Sequence, residues 1–261
     1  MTEQRAGSDR VPAITPATTP PTPTDLRAVV FDLDGVLVDS EPYWQAAFAA
    51  VANAYIEENK LERAELSASD LHAFEGGRAN DTMRAIVSDL AGRDLSEEEV
   101  EDLTDRVITL VCARFVAAPT PISASVDTAN WLADRGIPLG VASSSASRFI
   151  LVALRAIGLS ERISVVESAY PLAAGKPDPE VYLRACRALG VHPTQALAVE
   201  DSSRGLQAAC RAGMPAVWLT PSASLGSTVV PAEVCRDNEV VVAQSLEPAI
   251  VARLLGLPLA D

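Results

Sequence analysis

Several things are scarce in this 261-residue chain, and each scarcity removes a class of function. No apolar run reaches the ~20 residues that cross a bilayer, and residues 1–24 contain no apolar signal core. A cytoplasmic protein without membrane contact is therefore expected. Positive charge is short: 21 Lys plus Arg face 35 Asp plus Glu, for a net charge of −14 and a pI of about 4.6. Such a surface repels nucleic acid and anionic lipid alike. The four cysteines, Cys112, Cys186, Cys210 and Cys235, lack paired short spacings. They are expected to be reduced core residues, with neither a disulfide nor a zinc site. Lysine is rarer still, with only Lys60 and Lys176.

What is present is a large apolar fraction, 48% of residues, enough to bury one generous domain or two modest ones. Residues 1–24, rich in Thr, Pro and Ala, cannot form an apolar face and read as a tail outside the fold. The stretch Ala28–Ser40, AVVFDLDGVLVDS, then organises the rest. Ala28–Phe31 is apolar without polar alternation, as in a parallel strand buried on both faces. Asp32 is thereby placed at the carboxyl end of that strand, where open α/β sheets keep their ligand crevices. Asp34 returns to the same side, and Gly35 lets the backbone turn. Two like charges this close repel unless a cation neutralises them; a hard divalent ion held by carboxylate and carbonyl oxygen, most simply Mg²⁺, resolves the conflict. By itself, the pair is equally compatible with a solvated turn.

Ser40 is expected to cap a helix opening with Glu41 and Pro42, in which Tyr43, Trp44, Ala47, Phe48, Val51 and Tyr55 recur at helical spacing. To about Val116 the pattern stays helical, with pieces at Asp70–Phe74, Thr82–Leu90 and Ser96–Phe115, the last opening on a capping box with Glu97, Glu98 and Glu99. Positions 57–106 hold fifteen acids and six basic residues, about −9 of the net charge, and read as a solvated helical face. Strand and helix then alternate: strands at Ile137–Ala142, Ile163–Val166, Leu197–Val199 and Ala216–Leu219; helices at Val126–Arg135, Arg148–Ile157, Glu180–Leu189, Gly205–Ala212 and Pro248–Leu255. This rhythm predicts an α/β fold, a doubly wound parallel sheet formed by residues 25–39 and 119–261. Residues 40–118 are expected as a helical insertion over its crevice.

Further polar groups fall at strand ends. Ser143, Ser144 and Ser145 offer hydroxyls and N–H groups at a helix start, suited to a phosphate or to a plain cap. Lys176 lies in GKPDPEVY, where Pro177 holds it extended. A chain that otherwise writes its cations as arginine keeps lysine where a compact ammonium is required, or by chance. Glu200 and Asp201 form a second carboxylate pair after Leu197–Val199.

These stretches resemble, in order, the four motifs of the haloacid dehalogenase superfamily of phosphohydrolases: FDLDGVLVDSE, VASSS, GKPDPEVY and VEDSSRGLQAACRAGM. The resemblance covers Val29 to about Leu219, with the helical cap after motif one as in the β-phosphoglucomutase-like branch. It implies a modified Rossmann core and Mg²⁺ dependence. Residue by residue it implies Asp32 as nucleophile, Asp34 as general acid/base, Ser143, Ser144 and Lys176 as phosphate contacts, and Asp201, Glu200, Asp32 and the backbone carbonyl of Asp34 as the metal site. The expected activity is hydrolysis of a small phosphorylated metabolite, of sugar or polyol type, by a monomer. The superfamily's dehalogenases usually lack an acid at the position of Asp34. Its mutases carry a histidine that aligns with Trp44, and a tryptophan is not expected to replace that imidazole as an acid/base hydrogen-bonding partner. A non-catalytic binder of a phosphorylated effector would not require Asp34. In FEGGRANDTMRAI, Gly76 and Gly77 suggest a turn, and Arg78 is a candidate substrate contact or else a partner of Asp81.

Overall fold

The structure, a computed structural model, describes residues 26–74, 77–220, 235 and 238–259. The expected tail and Gly76 lie outside the described residues. Six parallel strands form one sheet: β1 (Ala28–Phe31), β2 (Leu139–Ser143), β3 (Val165–Ser168), β4 (Ala196–Glu200), β5 (Ala216–Leu219) and β6 (Val240–Ala243). Their order is β3-β2-β1-β4-β5-β6, so the connections run outward in both directions from β1. β1 pairs with β2 on one side and β4 on the other, with Phe31 opposite Val141 and Val199. The carboxyl end of β1 is thus the point where the winding reverses, the place at which such sheets bind ligands.

The strands are apolar on both faces but alternate in size. Val29, Phe31, Val141, Leu197 and Val199 face one core layer; Ala28, Val30, Ala196, Ala198 and Ala216 face the other. The large residues pack with α4 (Ser123–Asp134), α5 (Ser147–Ala156) and α8 (Pro248–Leu255). The small ones let α6 (Glu180–Leu189) and α7 (Ser203–Ala212) come close, through Tyr182, Ala185, Leu206 and Ala209. At about 25 cal/mol per Å² of apolar area buried, both layers stabilise the sheet between them.

Between β1 and α4 lies the helical segment: α1 (Glu41–Glu58), a 3₁₀ turn (Ala68–Phe74), α2 (Ala79–Ala91) and α3 (Glu97–Ala117). α3 begins with the expected capping box, Ser96 Oγ accepting from the Glu99 N–H at 3.2 Å while the Glu99 carboxylate accepts from the Ser96 N–H at 2.8 Å. The segment docks on the sheet domain through aromatic contacts: Trp44 of α1 and Phe115 of α3 both set ring edges against Phe149 of α5.

Four expectations are corrected. Residues 61–67 are not helical. β3 starts two residues later than its apolar run, because Ile163 closes a turn onto Leu159 and the strand continues into Glu167 and Ser168. An edge strand tolerates that polarity, and Glu167 pairs with Arg184 at 3.2 Å. Ser40 stands before α1 without capping it, its hydroxyl being committed elsewhere. Finally, Cys210 and Cys235 form a disulfide with a Cα–Cα distance of 5.1 Å, while Cys112 and Cys186 are free and buried. A separation of 25 residues carries no short-spacing signal; the fold brings the end of α7 against Cys235. The compartment argument drawn from reduced cysteines falls with it.

Closing a loop of that length in the unfolded chain is worth about 3 kcal/mol. Cys235→Ser, or the wild-type chain under strong reductant, should lose about that much in denaturant unfolding. Identical midpoints with and without reductant would show that the bond does not form in solution.

Candidate active site

At the carboxyl end of β1, Asp32 is buried, its backbone N–H donating to the Val199 carbonyl at 2.9 Å. Lys176, also buried, places its ammonium 3.0 Å from Asp32 Oδ1 and 2.6 Å from Glu200 Oε1. Glu200 is the last residue of β4 and fully buried; its Oε1 also accepts from the Tyr182 hydroxyl at 2.5 Å. Lys176 further lies 5.1 Å over the Tyr182 ring. Burial alone disfavours the ammonium, but Asp32 and Glu200 outweigh it and hold the lysine above its ordinary range. Burial pushes Asp32 up; Lys176 opposes this, while Glu200, Asp201 and Asp34 add to it. One cation among four carboxylates leaves the site short of positive charge.

Asp34 opens on the same cavity as Asp32 but has partners of its own. Oδ1 accepts from Ser40 Oγ and from Trp44 Nε1 at 3.2 Å; Oδ2 accepts from Ser145 Oγ at 2.7 Å and Ser143 Oγ at 3.2 Å. Ser143 ends β2, fully buried, and its Oγ also accepts from the Ser145 N–H at 3.0 Å. Ser144 and Ser145 line the cavity; Ser143 stands behind them. Trp44 is therefore a hydrogen-bonding partner of the acid/base candidate after all, although an indole N–H only donates and does not serve as an acid or base.

The carboxylates of Asp32, Glu200 and Asp201 converge, each offering an oxygen within 4.8 Å of the others. A divalent cation fits here on three observations. Asp32 Oδ1 has an ion pair but no well-directed hydrogen bond. The Asp201 carboxyl is pushed up to about 7, by burial first and then by Glu200, with Asp34 adding to it and Lys176 opposing. Gly35, at φ +77°, leaves room that a Cβ would take from Asp201, since that atom would lie 1.8 Å from its Oδ2. The indole of Trp218 fixes Asp201 from below, Nε1 donating to its backbone carbonyl at 2.9 Å.

The loop carrying Lys176 is gripped by three arginines, and sequence reasoning missed this use of all of them. Arg204 of α7 donates from Nε at 3.0 Å and from a terminal nitrogen at 2.6 Å to the Lys176 carbonyl, and Arg211 donates to the Pro177 carbonyl at 2.8 Å. Arg78, entering α2, pairs with Asp81 through Nε at 2.6 Å and reaches the Leu172 carbonyl at 2.5 Å. Of the two alternatives held for Arg78, the structure shows the pairing with Asp81; the residue is not among those lining the cavity. Tyr182 and Ser40 were likewise not singled out as site residues although both sat inside the motifs, and Ser145, read as a phosphate or cap group, instead bonds Asp34.

The site opens on a cavity of about 410 Å³, with Asp32, Asp34, Lys176, Asp201 and Arg204 on the sheet side and Glu41, Trp44, Phe48 and Phe74 on the helical side. The haloacid dehalogenase-like hydrolase family model matches residues 26–213, which include every group just described except Trp218. The chain belongs to this family. A validoxylamine A 7'-phosphate phosphatase of Streptomyces hygroscopicus subsp. limoneus is 31% identical over 74% of this chain and 85% of that one. The phosphoglycolate phosphatase of Escherichia coli (strain K12) is 28% identical over 90% and 94%. A β-phosphoglucomutase structure from Clostridium difficile superposes with a TM-score of 0.69 at 18% identity, covering 88% and 97%, which shows a shared fold.

The narrow seat of Lys176 predicts the effect of replacing it. Arginine keeps the charge, but its planar fork does not fit between Asp32 and Glu200, and a misplacement of about 1 Å costs on the order of 10²-fold in rate. Lys176→Arg should be nearly as damaging to turnover of a phosphate ester as Lys176→Ala. An arginine variant within a few-fold of wild type in steady-state kinetics would leave only charge as the lysine's contribution.

Proposed function

We propose that this haloacid dehalogenase-like hydrolase is a Mg²⁺-dependent phosphatase acting on a small phosphomonoester of sugar or polyol type. The observation that carries the reading is the pairing of Asp32, seated against a buried lysine, with Asp34, two residues on and facing the same cavity. Asp32 attacks phosphorus: a bond forms from its carboxylate oxygen, and the bond to the leaving alkoxide breaks as Asp34 gives that alkoxide a proton. Asp34 then takes a proton from water, whose oxygen displaces Asp32 and releases phosphate. Lys176 and the Ser144 N–H face the charge on the phosphoryl oxygens. Asp32, Asp201 and the Asp34 carbonyl would hold Mg²⁺, with Glu200 assisting from its bond to Lys176. When bound, Mg²⁺ supplies neutralisation of the charge gathered by phosphate and carboxylates.

Water is favoured as the final acceptor over a sugar hydroxyl because the helical residue touching Asp34 is Trp44, a donor that cannot act as a base. A sugar phosphomutase is the alternative, and a non-catalytic binder the more distant one.

Asp32→Asn should abolish turnover in a folded protein, since an amide cannot form the acyl phosphate. Asp34→Asn should harm sugar phosphates far more than p-nitrophenyl phosphate, whose leaving group needs no proton. Equal losses on both substrates would remove Asp34 from the acid role.

Metal binding has its own signature. Without metal, Asp201 keeps a proton up to about pH 7 that an unfolded aspartate releases near its ordinary 3.8. Between those values the native state binds more protons, so this group's contribution to stability falls as pH rises. Mg²⁺ competes with that proton, so the rise in Tm on adding it should be larger at pH 8 than at pH 5.5. A pH-independent shift would exclude Asp201 as a ligand.

A further inference from the structure

We propose that Arg78 is a positioning residue, through which the helical segment sets the Lys176 ammonium for its work on the phosphoryl group. This rests on the phosphatase reading and adds to it a residue outside the cavity lining. Arg78 stands at the start of α2 and engages all three of its guanidinium nitrogens. Nε and one terminal nitrogen donate to the two oxygens of Asp81 at 2.6 and 3.1 Å, and the other terminal nitrogen donates across to the Leu172 carbonyl at 2.5 Å. A bidentate pair with a carboxylate fixes the plane of the guanidinium fork. The third nitrogen is thereby aimed at the loop between β3 and α6, and the arginine side chain is only 14% exposed where it crosses.

That loop needs a hold from outside just before the lysine. Pro171, Ala173 and Ala174 are exposed, and among the described residues Arg78 supplies the one side-chain hydrogen bond to the backbone of residues 171–175. The sheet domain grips the next two carbonyls, those of Lys176 and Pro177, through Arg204 and Arg211. Arg78 also packs on Gly175, where a Cβ would come within 3.1 Å of its Cδ and 3.2 Å of its Nε. Gly175 is not among the glycines with positive φ, so this contact, and not the backbone conformation, is what favours glycine there. The lysine backbone is thus clasped from two sides, by α7 at its own carbonyl and by α2 at the residue before it. An ammonium set 3.0 Å from Asp32 and 2.6 Å from Glu200 tolerates little drift of that backbone, and Arg78 restrains it on the side the sheet domain leaves open.

The test is steady-state kinetics at saturating Mg²⁺ on p-nitrophenyl phosphate and glucose 6-phosphate. Because Arg78 acts through Lys176, Arg78→Ala should lower kcat by about tenfold on both esters alike while KM moves by less than about threefold. Asp81→Asn, at an exposed residue, loosens the fork without removing it and should give the same loss in kcat at about threefold, which decides the matter should Arg78→Ala fail to fold. Gly175→Ala disturbs the same contact, so the double variant with Arg78→Ala should be no slower than Arg78→Ala alone. A loss confined to glucose 6-phosphate and to its KM would make Arg78 a substrate contact and overturn the proposal. So would a kcat within about twofold of wild type on both esters in Arg78→Ala, or losses from Gly175→Ala and Arg78→Ala that simply multiply. In each of these cases wild-type turnover of p-nitrophenyl phosphate leaves the phosphatase reading standing, whereas absence of wild-type turnover on both esters overturns that reading and this proposal together.

Discussion

The site depends on one buried ion cluster, the Lys176 ammonium between Asp32 and Glu200. Taking an ammonium and two carboxylates out of water costs several kcal/mol per ion unless each keeps good partners. Here the partners come from separate parts of the chain: Asp32 from the end of β1, Glu200 from the end of β4, Lys176 from the loop before α6, and the Tyr182 hydroxyl from α6 itself. None could be kept without the others. The parallel pairing of β1 with β4 sets Phe31 opposite Val199, so Asp32 and Glu200 follow side by side in the same register. The lysine is then drawn to the gap between them, and the arginines on its loop carbonyls hold the backbone that delivers it.

The sheet can present such a cluster because its two faces are built differently. The alanine face lets α6 and α7 approach closely, and both helices deliver site residues: Tyr182 from α6, Arg204 and Arg211 from α7. Gly205 shows how tight that approach is, since a Cβ there would lie 2.0 Å from the Glu200 carboxylate. The opposite face carries the bulky residues and anchors the helical segment through Phe149. Floor and wall therefore have separate supports. The chemistry rests on the closely packed side, while the helical wall meets it through aromatic contacts and the Arg78 reach to Leu172, with a cavity left between them.

The legible part of the sequence was the part whose signal is local. An apolar strand ending in Asp32-x-Asp34, a lone lysine before proline, and a second acid pair after another strand each place a side chain from its neighbours alone. The doubly wound parallel sheet followed from the alternation of strand and helix, although the strand Val240–Ala243 was not read. What escaped reading depends on through-space meetings. Ser40 looked like a helix cap and instead bonds Asp34. Arg78 had two readings that only a neighbouring loop could separate. The Arg204 and Trp218 roles are hydrogen bonds to backbone carbonyls, which leave no trace in residue type. The Cys210–Cys235 bond joins residues 25 apart across an unpatterned stretch, so no spacing rule could find it.

Asp34 shows how the helical segment enters the proposed chemistry. Its two oxygens accept from three serine hydroxyls and one indole, and only the indole and Ser40 lie toward the helical side. A serine hydroxyl turns to accept as readily as it donates, so the serines can follow Asp34 through either protonation state. The indole only donates: its N–H holds an Asp34 oxygen in place and cannot take up a proton from it. An imidazole in its place would serve both states and could carry a proton between two sugar hydroxyls. The substitution biases the second half of the proposed cycle toward water, and it is the feature of this chain that most directly supports hydrolysis over transfer.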